Sequence, residues 1–262
     1  MNLSYSKLTT LLDCQKRFFF EYILKLDREP QLIDYGDLGS RAHLILEEFY
    51  KYVNLDANNI EKEFNGVLGN LYHKHFRGVQ DPKGSFAKGV RNFCNREIKR
   101  YNVLQDKTIF QPRYVELPLE TEIAGQYFRG RLDAVYINPD DLSLRPTDYK
   151  FTNQNSIKLP QEIQASIYVI MLEQQLNIYC DKYYFWFMKH GLGPTGRGFE
   201  KVVDVTDELK DKLRDIITDS AELIEKGEFE GKEHMDYFCH NFCPYYGMCM
   251  EEMMGEDVEF ED

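Results

Sequence analysis

No uninterrupted apolar run in this chain of 262 residues approaches the roughly 20 residues needed to cross a bilayer. Residues 1–6 lack the charged-then-apolar pattern of a secretory signal. The expectation is a soluble, intracellular (cytoplasmic) protein. Cysteine is scarce as well: six residues are too few for a disulfide scaffold at this length, and a reducing compartment would keep them as thiols. Basic residues are outnumbered, with 32 Lys and Arg against 44 Asp and Glu and a net charge of −12. That balance excludes binding of a polyanion through overall charge alone. Part of the deficit is local, since residues 251–262 hold seven acids and no Lys or Arg. Internal repeats are absent. The Gly-rich stretch at residues 191–198 has no P-loop spacing and opens no helix, so it reads as a hairpin turn.

A hydrophobic content of 43% and an aromatic content of 14% are ample for the core of one large domain, or of a core with an inserted helical part. Residues 3–27 read as one helix, with Ser4 or Ser6 as cap and Leu8, Leu11, Leu12, Phe18, Phe19, Tyr22 and Ile23 as its apolar positions. A break is expected around residues 30–39, then a helix over 40–52 carrying His43. Two further helices are expected over 58–76 and 85–103, parted by a Gly- and Pro-bearing turn. Strands follow over 110–119, 127–137 and 142–151, then a helix opened by Pro160. Residues 182–190 are strongly β-prone, 199–205 form a short strand, and Thr206 caps a charged helix reaching about 226. The pattern is α/β. Its divisions are 1–53 (N-terminal helices), 54–104 (helical insertion), 105–230 (core) and 231–262 (cysteine-bearing end and acidic tail).

The chain is organised around residues 130–168. Gly130-Arg-Leu-Asp133-Ala-Val-Tyr-Ile leads into an Asn138-Pro-Asp-Asp141 turn, and Asp148-Tyr-Lys150 returns on the next strand. Residues two apart on a strand share a face, so Asp148 and Lys150 project together and Asp133 can be brought opposite them. An isolated carboxylate in the apolar run around Asp133 would be costly, so it calls for a cation. Two carboxylates and an amine on adjacent strands suit a hard divalent cation and an activated water. Gln164 and Tyr168, four apart, share a helix face.

Asp133, Asp148-x-Lys150 and Gln164-x-x-x-Tyr168, in that order and spacing, resemble the PD-(D/E)XK nuclease superfamily and its RecB-like exonuclease branch, which includes AddB-type and CRISPR-associated RecB-like nucleases. The resemblance covers most of the chain except about 54–103 and the acidic tail. It implies a restriction-endonuclease-like core, a central mixed sheet flanked by helices, with a helical insertion and metal-clamped termini. It also implies Mg²⁺- or Mn²⁺-dependent hydrolysis of DNA, exonucleolytic on single strands or ends. The alternatives are a structure-specific endonuclease or a catalytically idle DNA-binding scaffold; the intact Asp133, Asp148, Lys150 set argues against the last. By the same resemblance Asp133, Asp148 and His43, with the Tyr149 carbonyl, bind the metal. Lys150 acts on the attacking water and the phosphate charge, while Gln164 and Tyr168 orient the lysine and meet the DNA backbone. Glu116 lies where an acid is frequent in the family and is given a supporting role. His73, His75, His190, His234 and His240 match no motif. The settings and partners implied are recombination and repair, viral DNA processing or CRISPR adaptation, with a helicase or adaptation protein alongside.

Cysteine placement is uneven: Cys14 is early, Cys94 and Cys180 are central, and Cys239, Cys243 and Cys249 are bunched at the end, which points to a metal. Members of the RecB-like branch use one early and three late cysteines for a 4Fe–4S cluster, and four thiolates are what such a cluster requires. The family's late spacing is Cys-x2-Cys-x5-Cys, whereas this chain has Cys-x3-Cys-x5-Cys. Zinc is the rival, since four thiolates also suit a tetrahedral site.

Overall fold

The computed structural model describes residues 2–29, 33–191, 200–232 and 237–253. The turn expected at 191–198 and the end of the acidic tail fall largely outside them, as does His234. The chain forms two compact units. One comprises Met1–Asp34, Glu122–Phe128 and Lys212–Asp262, the other Tyr35–Thr121 and Arg129–Asp211.

In the first unit the expected N-terminal helix is broken. Helix α1 (Tyr5–Asp13), capped by the Ser4 hydroxyl, stops at Cys14, whose backbone is extended at φ −156° and ψ 111°. Helix α2 (Gln15–Phe18) restarts there with the Cys14 sulfur accepting from the Arg17 amide at 3.4 Å, and a π-helical turn over Phe19–Ile23 follows. Apolar spacing continues across the break, so periodicity cannot reveal it. The thiol has taken the capping place usually held by Ser or Asp. The C-terminal end of the chain forms α8 (Tyr237–Phe242) and α9 (Tyr246–Met253). Hydrogen bonds tie these late segments to the early ones: Glu29 N–H to the Pro244 carbonyl at 3.1 Å, Gly247 N–H to Glu29 Oε1 at 3.1 Å, and Lys16 N–H to the Glu230 carbonyl at 3.1 Å.

The second unit opens on α3 (Tyr35–Tyr52), which begins inside the stretch expected to be a break. An Asp37–Arg41 ion pair at 2.7 Å and a bond from the Ser40 hydroxyl to the Gly36 carbonyl support its first turns despite two glycines. Leu38, Ala42, Ile45, Leu46 and Phe49 recur at helical spacing and are buried. They face α4 (Ile60–Phe76), capped by Asn59, and α5 (Ser85–Val103) through an aromatic cluster of Phe49, Phe64 and Phe93.

The sheet has five strands in the order β1 (Tyr114–Ile123), β2 (Gln126–Ile137), β3 (Leu144–Lys150), β4 (Lys182–Phe187), β5 (Glu200–Asp204). β2 and β3 are antiparallel, β3 and β4 parallel, and β4 and β5 antiparallel, so the sheet is mixed. β1 starts later than expected because Phe110 is buried at the end of a 3₁₀ turn. The parallel step needs a crossover, which α6 (Leu159–Leu176) provides. Pro160 stands at its start, Asn177 ends it in the left-handed conformation, and every residue from Ile163 to Leu172 is buried. A helix buried on all sides belongs to a core rather than to a surface. Thr206 caps α7 (Asp207–Lys226) by accepting from the Leu209 amide. No helix among the described residues is long and apolar enough to cross a membrane.

Candidate active site

The β2–β3 ladder runs from Ile137↔Leu144 to Ala134↔Thr147. One residue further on, a side chain takes over the backbone's role: the Tyr149 amide donates to Asp133 Oδ2 at 2.6 Å. Asp133 is thereby fixed at the end of the ladder, buried, with Asp148 and Lys150 beside it on β3. The Lys150 ammonium donates to Gln164 Oε1 at 2.8 Å, and Gln164 Nε2 donates to Asp148 Oδ1 at 2.5 Å. Only this orientation of the Gln164 amide serves both neighbours. Asp148 Oδ2 lies 2.8 Å from the Lys150 ammonium, in an orientation that makes no hydrogen bond, and is shut off from solvent. The sequence-predicted trio of Asp148, Lys150 and Gln164 is therefore one closed ring of contacts.

Tyr168 is placed differently. Its hydroxyl donates to the Arg131 carbonyl at 2.8 Å and accepts from the Arg131 amide at 3.1 Å, so it holds β2 two residues before Asp133. This approach needs Gly130, since a Cβ there would lie 2.8 Å from the Tyr168 oxygen.

On α3, His43 Nδ1 lies 3.4 Å from Asp133 Oδ2. Glu116 of β1 completes a group: one ligand atom from each of His43, Glu116 and Asp133 lies within 4.8 Å of the others. Glu116 has φ 49°, a left-handed conformation that costs a non-glycine residue about 1–3 kcal/mol and gathers at functional sites. Sequence reasoning gave Glu116 only a supporting part. Its signal is an acid inside Tyr114-Val-Glu116-Leu, whereas its left-handed backbone has no residue signature.

The electrostatics are those of a site that attracts a cation. Burial, with Asp133 adding to it, pushes the Glu116 carboxyl up to about 7, and His43 pulls the other way. Burial opposes charge on His43, but Asp133, Asp148 and Glu116 outweigh it and raise the imidazole to about 9. Burial also raises Asp148, with Lys150 acting against it. One imidazole, two carboxylates and a buried carboxylate oxygen without a hydrogen bond fit a hard divalent ion. Protons must leave before such an ion binds. The Glu116 and His43 shifts are both upward, so their protonated forms persist to higher pH and compete there. The affinity for Mn²⁺ is expected to rise about a hundredfold per pH unit below 7 and about tenfold per unit from 7 to 9, levelling above. Calorimetric titration at a series of pH values checks this; constant affinity from pH 6 to 9 contradicts it.

The first unit holds the second cluster. Cys14, Cys239, Cys243 and Cys249 all line one cavity of about 360 Å³, with Lys16, Arg17 and Tyr246 also on its wall. Burial pushes the Cys243 thiol up and Cys249 up to about 12, and the neighbouring thiols add to both shifts. No three of these sulfurs lie within 4.8 Å of one another among the described residues. Cys94 and Cys180 stand outside the cavity. Of the remaining histidines, His75 bonds Glu48 at 3.0 Å and His190 meets the Asn153 carbonyl.

A family model for the PD-(D/E)XK nuclease superfamily matches residues 2–250. The chain belongs to this superfamily. The mixed five-stranded sheet with flanking helices is consistent with its restriction-endonuclease-like fold. Among solved structures, a candidate exonuclease from Eubacterium rectale is similar over 92% of this chain and 88% of its own, with a TM-score of 0.50 and 12% identity. At that identity the likeness speaks to the fold alone. The protein SSO0001 covers 92% of this nuclease-family chain and 96% of its own at 15% identity, but its TM-score of 0.37 carries no argument. No curated protein matches. Superfamily members use divalent metals, and the His43, Glu116, Asp133 group could hold one in this chain.

Proposed function

We propose that the protein is a Mg²⁺- or Mn²⁺-dependent deoxyribonuclease acting as an exonuclease on single strands or DNA ends. The observation that carries this reading is the abutment of two constellations at the end of the β2–β3 ladder: the His43, Glu116, Asp133 group and the Asp148–Lys150–Gln164 ring. A divalent cation bound there supplies Lewis-acid stabilisation of charge on the phosphate. His43, Glu116 and Asp133 would hold it, and Asp148 offers the further oxygen that lacks a hydrogen bond. Lys150 presents its ammonium beside Asp148, where it can orient a water and donate to a phosphate oxygen whose charge grows in the transition state. Gln164 fixes the lysine, and Tyr168 fixes the strand bearing Asp133.

The exonucleolytic part rests on the resemblance of Asp133, Asp148-x-Lys150 and Gln164-x-x-x-Tyr168 to the RecB-like branch. An exonuclease needs an end. A linear single strand should be degraded in Mn²⁺ while the same sequence closed into a circle resists. Nicking of the circle at the linear rate would move the assignment to an endonuclease.

We read the cysteine cavity as the seat of a 4Fe–4S cluster. Four thiols around one cavity are the donor set that such a cluster requires, and zinc, which four thiolates also suit, is its rival. The hydrogen bond from the Arg17 amide to the Cys14 sulfur is of the kind that tunes such clusters. Protein purified without oxygen should be brown with about four irons per chain. Cys14→Ser should bleach it and lower its melting temperature, whereas Cys94→Ser should not bleach it. One tightly held zinc and no iron would replace the cluster.

A further inference from the structure

A chain with a net charge of −12 must meet a phosphate backbone through a few well-placed cations rather than through a general field. Two arginines are placed for this. Arg129 and Arg131 lie two apart on β2, with side chains 66% and 65% exposed, while Leu132 beside them is buried. By strand alternation they share a face with Asp133. A contact bears this out: Arg131 Nη1 is 3.8 Å from Glu116 Oε2, and Glu116 belongs with Asp133 to the metal group. The arginines thus line up on β2 four and two residues before Asp133.

The backbone beneath them is fixed. The β2–β3 ladder stops at Ala134, and at Arg131 the buried Tyr168 hydroxyl takes both the amide and the carbonyl. The side chains themselves are loosely engaged. Arg129 reaches Glu120 at 3.5 Å and Arg131 reaches Glu116 at 3.8 Å, with neither pair at the distance of a charge-assisted hydrogen bond. Exposed pairs of this kind contribute little and are readily exchanged, whereas guanidinium forks bind phosphate oxygens two at a time. Arg131 also gives up less than a lone surface ion would, because a cation bound beside Glu116 takes over that carboxylate.

Resting on the nuclease reading above, we propose that the Arg129–Arg131 face of β2 is the track that carries the substrate's sugar–phosphate backbone to the metal group. Each guanidinium holds one of two successive phosphates. Side chains two apart on a strand are about 7 Å from each other, comparable to the spacing of consecutive phosphates along an extended strand. The contacts are to the backbone, so the track selects for a polyanionic strand and not for sequence.

The test uses the full chain carrying Lys150→Ala, in Mn²⁺, with a labelled single-stranded oligonucleotide titrated at a series of salt concentrations. Arg129→Ala with Arg131→Ala should weaken binding at least about tenfold at low salt. It should also flatten the dependence of log K on log salt by about 1.4, at about 0.7 per lost phosphate contact. Lysine at both positions should restore most of the slope. Arg129→Ala alone, which leaves Glu116 untouched, should flatten it by about 0.7 with Mn²⁺ affinity unchanged. A slope unaltered in every variant, while the parent chain binds and cleaves, overturns this inference alone. Weaker binding with an unaltered slope overturns it too, since the loss is then not of phosphate contacts. A parent chain that neither binds nor cleaves DNA overturns the nuclease reading, and the track with it.

Discussion

Lys150→Ala is expected to lower strand cleavage at least about a thousandfold while DNA affinity stays within a few-fold. The ammonium is held 2.8 Å from Gln164 Oε1 and 2.8 Å from Asp148 Oδ2, on the strand that presents its neighbours to the metal group. On the proposed reading it would act on charge that develops only as the phosphate is attacked, so that binding of the ground state should draw little from it. The substitution has a second consequence. Asp148 is buried, and removing the cation beside it leaves a carboxylate without compensation, which costs about 3–5 kcal/mol. A thermal melt in Mn²⁺ separates the two effects, because a bound ion compensates Asp148 in the variant. A folded, DNA-binding variant without cleavage is the expected outcome. Cleavage within tenfold of the parent removes Lys150 from the chemistry.

Asp133→Ala is expected to be the most damaging single change at the site. Asp133 ends the β2–β3 ladder by accepting from the Tyr149 amide, meets His43 at 3.4 Å, and lies with His43 and Glu116 in the group that could hold a metal. Residues that merely orient a metal ligand cost 10–100-fold in affinity when replaced, so loss of a ligand itself should exceed about a hundredfold for Mn²⁺. Cleavage should vanish with it. The same change leaves the Tyr149 amide without its acceptor at a buried position, at a cost of about 1–3 kcal/mol. Asp133→Asn keeps an acceptor for that amide and should recover the stability but not the Mn²⁺ affinity. Calorimetry that finds Mn²⁺ binding intact in both variants sinks the assignment of Asp133 to the metal.

The sheet and its crossover helix were legible because their residues obey simple periods. Alternation across 130–137, a turn at Asn138-Pro-Asp-Asp141 and a run of aromatic and β-branched residues at 182–187 leave few other arrangements. The pairing of Asp148 with Lys150 followed from the same period. Helix α3 was less legible, since its first turns fall inside the break expected around residues 30–39 and the ion pair of Asp37 with Arg41 that supports them is a property of the formed helix. The break at Cys14 was hidden because Leu8, Leu11 and Phe18 keep helical spacing through it. Glu116 is hard to weigh from sequence for a like reason: its positive φ has no residue signature. Tyr168 shows the reverse case. Its place on the helix was readable, but its engagement with the Arg131 backbone depends on Gly130 letting β2 approach α6.

We propose that the end of the β2–β3 ladder is a metal-dependent site for breaking phosphodiesters. The most direct measurement is cleavage of end-labelled linear DNA by protein stripped of divalent ions, then given Mn²⁺, beside Lys150→Ala and Asp133→Asn treated identically. The expected results are no cleavage by the stripped protein, recovery on adding Mn²⁺, and recovery in neither variant. Cleavage that persists without divalent ions, or that returns equally in all three proteins, contradicts the proposal.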